Sequence, residues 1–149
     1  MKHFKNVLLS ILMFLFCAVI CSSCGSATNN IIESTKAQLE EKEWECIREI
    51  NGDLDYTEWS SLWGNAIIDP SEEEKDMNLY TMVGRHIDES ENKLYVIVKI
   101  AFTEEDSEGE IYGVMYISES GRIMKSDFLN GLEILPPNNK ELQEYMYSY

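Results

Sequence analysis

Leu94-Tyr95-Val96-Ile97-Val98-Lys99-Ile100-Ala101-Phe102 is the stretch whose reading decides the fold class. Leu94, Val96, Val98, Ile100 and Phe102 alternate with Tyr95, Ile97, Lys99 and Ala101, the period of a β-strand. The second set is also largely apolar, so both faces of this strand need cover and it belongs at the centre of a sheet. Working outward, Leu79 to Ile87, Ile111 to Ile117 and Arg122 to Leu129 are three further candidate strands. The connections Asp88 to Asn92, Thr103 to Glu110 and Glu119-Ser120-Gly121 are short and polar, which favours an antiparallel meander. After Asn130-Gly131, Leu132 to Leu135 either adds a fifth strand or packs across the sheet, and Pro136-Pro137 stops it. Asn138 with Glu141 then predicts a capped terminal helix carrying Leu142, Tyr145 and Met146.

Upstream of the strands the period is helical. From Ser34 the chain reads Ser-Thr-Lys-Ala-Gln-Leu-Glu-Glu-Lys-Glu, dominated by strong helix formers. Leu39, Cys46, Ile47 and Ile50 fall near one face, and Asn51-Gly52 supplies a stop. A hairpin is the competing reading, because Trp44 to Ile50 and Leu54 to Trp59 flank Asn51-Gly52-Asp53. The glutamate and lysine content ahead of Trp44 favours helix. Thr57 is positioned to cap a second helix in which Trp59, Leu62, Trp63, Ala66 and Ile67 form an apolar stripe. Asp69-Pro70 ends it, and Ser71 to Asp76 is a solvated connection. The expectation is an α+β domain, with N-terminal helices packed on a four-stranded, or five-stranded, antiparallel meander. Trp59, Leu62, Trp63 and Ile67 are expected against Val96, Val98 and Ile100. There is no internal repeat.

The chain opens with Lys2 and Lys5, an apolar run from Val7 to Ile20 broken only by Ser10, and then Ser22-Ser23-Cys24-Gly25. The run has the length of a signal-peptide core and is short for a bilayer span. This opening resembles the signal of a bacterial lipoprotein. The resemblance implies cleavage before Cys24, acylation of Cys24 (palmitate or a similar chain) and a membrane-anchored protein on the extracytoplasmic side of the cell envelope. Cys17 and Cys21 are poorer acceptors, since bulky Phe16 and Ile20 precede them. An ordinary cleaved signal and an uncleaved anchor are the alternatives. The resulting division is 1–23 signal peptide, 24–33 lipidated cysteine and flexible tether, and 34–149 a single α+β domain. That domain resembles the NTF2-like and cystatin-like folds over roughly 34–129. The likeness rests on a helix ending Ile50-Asn51-Gly52-Asp53, a second beginning near Tyr56, and a meander ending Gly121-Arg122-Ile123.

Composition narrows the function. The whole chain carries a net charge of −15, and past Cys24 its 27 acids against 10 bases leave −17. Nucleic acid and anionic bilayers would be repelled by that field. Solubility is the plainer reading of the charge, and attraction of a basic partner the functional one. Once Cys17, Cys21 and Cys24 are accounted for, Cys46 is the one thiol left, so no disulfide framework forms within the mature chain. Between Trp44 and Ile47 it reads as a small buried hydrophobe.

Each chemical constellation fails on its own terms. Glu104-Glu105-Asp106-Ser107-Glu108-Gly109-Glu110-Ile111 imitates a calcium loop, but the closing position is Met115 and strands flank it, so it reads as an acidic hairpin tip. Asp53, Asp55 and Glu58 read as charges at a helix start. Cys46 and His86 are too few for a transition-metal site, and no metal or cofactor is expected. His86 is the one histidine past Cys24, sharing a strand face with Tyr80, Met82 and Gly84. A Cys46–His86 pair has no local support, and the carboxylates cannot be paired from sequence. No catalytic residue is assigned. Neither a phosphate cradle nor a basic patch is present. Trp44, Trp59, Trp63, Tyr80, Tyr95, Tyr112 and Tyr116 are left to line a concave sheet or simply to fill a core. Tyr95, Tyr112 and Tyr116 are the three expected on one sheet face.

The leading expectation is therefore a lipid-anchored envelope protein whose non-enzymatic domain binds a protein partner or small ligand. An enzyme using a helix–sheet pocket with His86 as acid–base group is one alternative. An acidic inhibitor or immunity-like protein is the other.

Overall fold

A computed structural model describes residues 27–64, 74, 77–102, 108–128 and 132–146. The central strand falls where its alternation puts it. β3 (Lys93–Phe102) pairs antiparallel with β2 (Asn78–Ile87) on one side and β4 (Glu110–Ser118) on the other. β5 (Ile123–Phe128) follows β4, and β1 (Glu45–Ile50) borders β2, giving an antiparallel sheet in the order β1-β2-β3-β4-β5. The fold is α+β with an open five-stranded sheet. Leu132 to Leu135 is not the fifth strand; Ile134 is buried on the sheet instead.

Among the described residues the sheet is accompanied by α1 (Ala27–Glu41), α2 (Tyr56–Trp63) and α3 (Lys140–Met146). They are spread along the chain rather than grouped ahead of the strands. α1 begins seven residues before Ser34, so 27–33 is helical. It also stops at Glu41, well before Ile50. The reason is a C-terminal turn in which Glu43 adopts φ 67°. The Glu43 N–H donates to the Glu40 carbonyl at 3.0 Å and the Trp44 N–H to the Leu39 carbonyl at 2.9 Å, the paired bonds of a Schellman motif. Leu39 and Trp44, both buried, form the apolar contact such a turn carries. Beyond it, Glu45–Ile50 is strand, not helix. The hairpin reading fails as well, because 56–63 is helical and β1 pairs with β2.

α2 is capped by Asp55, not Thr57: the Asp55 carboxylate accepts from the Glu58 N–H at 2.9 Å. In α3 the cap is one residue later than expected. Asn139 Oδ1, rather than Asn138, accepts from the Glu141 N–H at 3.0 Å. Leu142 is buried there.

The sheet is covered on both faces. On one, Leu39, Trp44, Met82, Leu94, Val96, Val98, Ile100, Val114, Tyr116, Met124, Ile134 and Leu142 form a core under α1, the 132–135 segment and α3. On the other, Leu54, Trp59, Trp63, Val83, Tyr95, Ile97, Met115 and Ile117 pack under α2. The expected contact of α2 with Val96, Val98 and Ile100 is thus corrected to the opposite set of the same strand. Both sets are apolar, so alternation alone does not say which face takes which helix. Ile67 lies outside the described residues.

Gly84 leaves room on β2 for Val96 of the neighbouring strand and for Leu39 and Trp44 of the α1–β1 corner. A Cβ there would sit 2.7 Å from Val96 Cγ1 and 3.2 Å from Trp44 Cβ, closer than carbon atoms pack.

Candidate functional site

Two places hold chemistry-bearing side chains, one on each face. Under α2, Trp59 and Trp63 stand four residues apart on one side of the helix, with ring centroids 4.3 Å apart. Trp63 meets Tyr95 edge-on at 5.2 Å. Trp59 and Trp63 are 4% and 8% exposed and pack between helix and sheet. Their indole N–H groups are buried and find no acceptor among the described residues.

Farther along this face lies a buried ion cluster. Lys99, with its side chain 8% exposed, points to Asp53 at 3.2 Å and Glu74 at 3.1 Å. Asp53 also accepts from the Leu54 N–H at 2.7 Å. Thr81, opposite Lys99 on β2, donates its hydroxyl to the Gly52 carbonyl at 2.7 Å. Together these bonds pin the chain that follows β1 to the middle of the sheet. The sequence carries half of this signal: a lysine inside an apolar strand demands a buried partner. The partners lie 46 and 25 residues away and could not be picked out among so many acids.

His86 is on the other face. Its Nδ1 lies 3.3 Å from the Glu43 carbonyl, and its ring stands edge-on to Trp44 at 6.4 Å. Glu43 and Trp44 form the α1–β1 corner, so His86 sits against that corner and is on the opposite side of the sheet from the α2 aromatics. Nearby, the Asn92 side-chain amide hydrogen-bonded to Asp88 holds that carboxyl below its ordinary range, helped by the backbone N–H groups of Asn92 and Ser90.

Cys46 is half-buried on the His86 face, opposite Gly84, and directs its thiol to the Arg48 carbonyl at 3.8 Å. Burial above all, and then Glu49, pushes the thiol pKa up, the reverse of what a nucleophilic cysteine needs. The structure gives Cys46 and His86 separate partners.

The aromatic residues divide similarly. Trp44 donates its indole N–H to the Leu135 carbonyl at 2.8 Å and tilts against Tyr116, 6.1 Å away. Tyr116 accepts from the Leu135 N–H at 2.7 Å. Tyr95 and Tyr116 occupy opposite faces, which corrects the expectation that they share one with Tyr112. Tyr112 is buried.

Among the described residues no group of three or more His, Cys, Asp and Glu could hold a metal ion. Residues 103–107 of the acidic tip lie outside them, as does Cys24. No described helix is long and apolar enough to cross a membrane. Among the described residues the exposed large apolar side chains are Tyr56 on α2, Met77 just before β2, Ile87 on β2 and Ile123 on β5. Compared with family models, curated proteins and solved structures, the chain matches none.

Proposed function

We propose that this protein is a lipoprotein of the bacterial cell envelope, anchored through acylated Cys24, whose domain is non-enzymatic and binds a protein partner on the extracytoplasmic side. The observation that carries the anchor is the run from Lys2 and Lys5 through Val7–Ile20 to Ser22-Ser23-Cys24-Gly25. Partner binding by surface contact draws support from the packing, since the space beneath α2 is occupied by Trp59 and Trp63. Charge gives the partner its character. Lys36, Lys42, Arg48, Arg85, Lys93, Lys99, Lys125 and Lys140 each lie within ion-pair distance of a carboxylate. The acid surplus of 17 is then what a partner meets, and it favours a basic one. An NTF2-like or cystatin-like relationship belongs to the same proposal, supported by helices laid on an antiparallel meander.

The anchor is tested by labelling cells with a palmitate analogue and by mass spectrometry of the mature N-terminus. Acylation at Cys24, lost in Cys24→Ala, is the expected result. A mature chain starting elsewhere, or an unmodified Cys24, overturns it. For the partner, pull-down from envelope extract at low and high salt should give capture that weakens as salt rises. Retention that strong salt leaves unchanged argues against electrostatic recognition.

A further inference from the structure

The direction of α1 determines which end of the domain an anchor at Cys24 would hold. At its C-terminal corner, Glu43 and Trp44 lie against His86, near the finish of β2. One helical stretch earlier, Lys36 pairs with Glu49 at 3.0 Å, and Glu49 accepts the hydroxyl of Tyr80, near the start of β2, at 3.3 Å. α1 therefore runs alongside β2 in the same sense. Its N-terminus points to the end of the sheet where β2 begins at Asn78, β3 finishes at Phe102 and β4 begins at Glu110. The other end bears the β2–β3 turn around Asp88 and Asn92 and the β4–β5 turn around Gly121.

Chain length turns this direction into a constraint. Gly25 and Ser26 are all that separate Cys24 from Ala27, where α1 starts. Three residue steps reach at most about 11 Å fully extended. A ten-residue strand spans about 33 Å. An anchor so close to one end cannot let the far end reach the lipid without rotating the whole domain about a very short leash.

We propose that the anchored domain stands on the bilayer by the end where β2 and β4 begin and β3 finishes, with the β2–β3 and β4–β5 turns directed away from the lipid. This rests on the reading of Cys24 as the lipidated residue. The membrane-facing surface is thus assigned to one end of the sheet, and the outward surface to the other.

The full mature lipidated chain, in a Cys46→Ala background and reconstituted in phosphatidylcholine vesicles, provides the test. A fluorophore is placed through Glu110→Cys or Glu89→Cys, and quenching by headgroup spin-labelled lipid is read for each. The Glu110 probe is expected to be quenched at least threefold more than the Glu89 probe. A ten-residue Gly-Ser insertion between Ser26 and Ala27 should bring the two close to equality. Equal quenching without the insertion, the reverse order, or a difference that survives the insertion overturns the orientation while leaving the anchor standing. Mass spectrometry of the same preparation separates the two failures: an unacylated Cys24 removes the anchor and the orientation together.

Discussion

Glu43 occupies a backbone position that an L-residue adopts at a cost. With φ at 67° it ends α1, a place that glycine usually takes because it has no Cβ to clash. Its side chain is exposed, so removing it should forfeit little. Glu43→Gly is expected to stabilise the domain by about 1 kcal/mol, read as a shift of the urea midpoint at unchanged slope. Tyr116 gives a residue-scale prediction in pH. Burial, above all, pushes its phenol up to about 12; Asp127 and Glu133 add to this and the Leu135 N–H works against it. In the unfolded chain a tyrosine ionises near pH 10, so above that value the unfolded state gives up its proton first. The stability Tyr116 contributes is therefore intact below about pH 10 and declines until the folded phenol ionises near 12. In Tyr116→Phe that decline should shrink, as measured by urea titrations across this range.

At the scale of elements, the junction of α1, β1 and β2 depends on one missing side chain. Gly84→Ala would place a methyl 2.7 Å from Val96 Cγ1 and 3.2 Å from Trp44 Cβ, so Val96 must shift and the α1–β1 corner must give by a few tenths of an ångström. Overpacking of this kind costs about 1–3 kcal/mol, and thermal unfolding should show it as a fall of several degrees. The same junction explains why the helical reading of Trp44–Ile50 failed. Local composition through Glu43 is strongly helical, but nothing local records that Gly84 leaves room for Leu39 and Trp44 side by side, or that β2 offers a free edge. Strands β2 to β5 were legible to within one or two residues because alternation is a local property. The caps at Asp55 and Asn139 were displaced from the expected Thr57 and Asn138 because several neighbouring side chains can each accept from a helix N-terminus, and only the geometry chooses.

The molecule as a whole is clasped by Lys99. Its amine joins β3, the chain after β1 through Asp53, and Glu74, all largely out of water. Lys99→Met would remove the cation that Asp53 and Glu74 share and should destabilise by about 3–5 kcal/mol. Adding Asp53→Asn and Glu74→Gln should recover most of that loss, since the cost lies in keeping two carboxylates close together and largely out of water. Chemical denaturation of the single and triple variants checks both steps. If the single substitution is neutral, the cluster is too wet to clasp anything.

The sequence alone determined that this chain builds a central two-faced strand within an antiparallel meander and that it is strongly acidic, and it carries the opening on which the proposed anchor rests. Those are properties of composition and short period, which a chain carries wherever it folds. Tertiary structure alone decided that α2 takes the Tyr95–Ile97 face, that β1 borders β2, that Lys99 finds Asp53 and Glu74, and that His86 and the α2 tryptophans lie on opposite sides of the sheet. Each of these is a choice between partners that look equivalent along the chain. Packing distinguishes them, because room, burial and counter-charge exist only once distant segments meet.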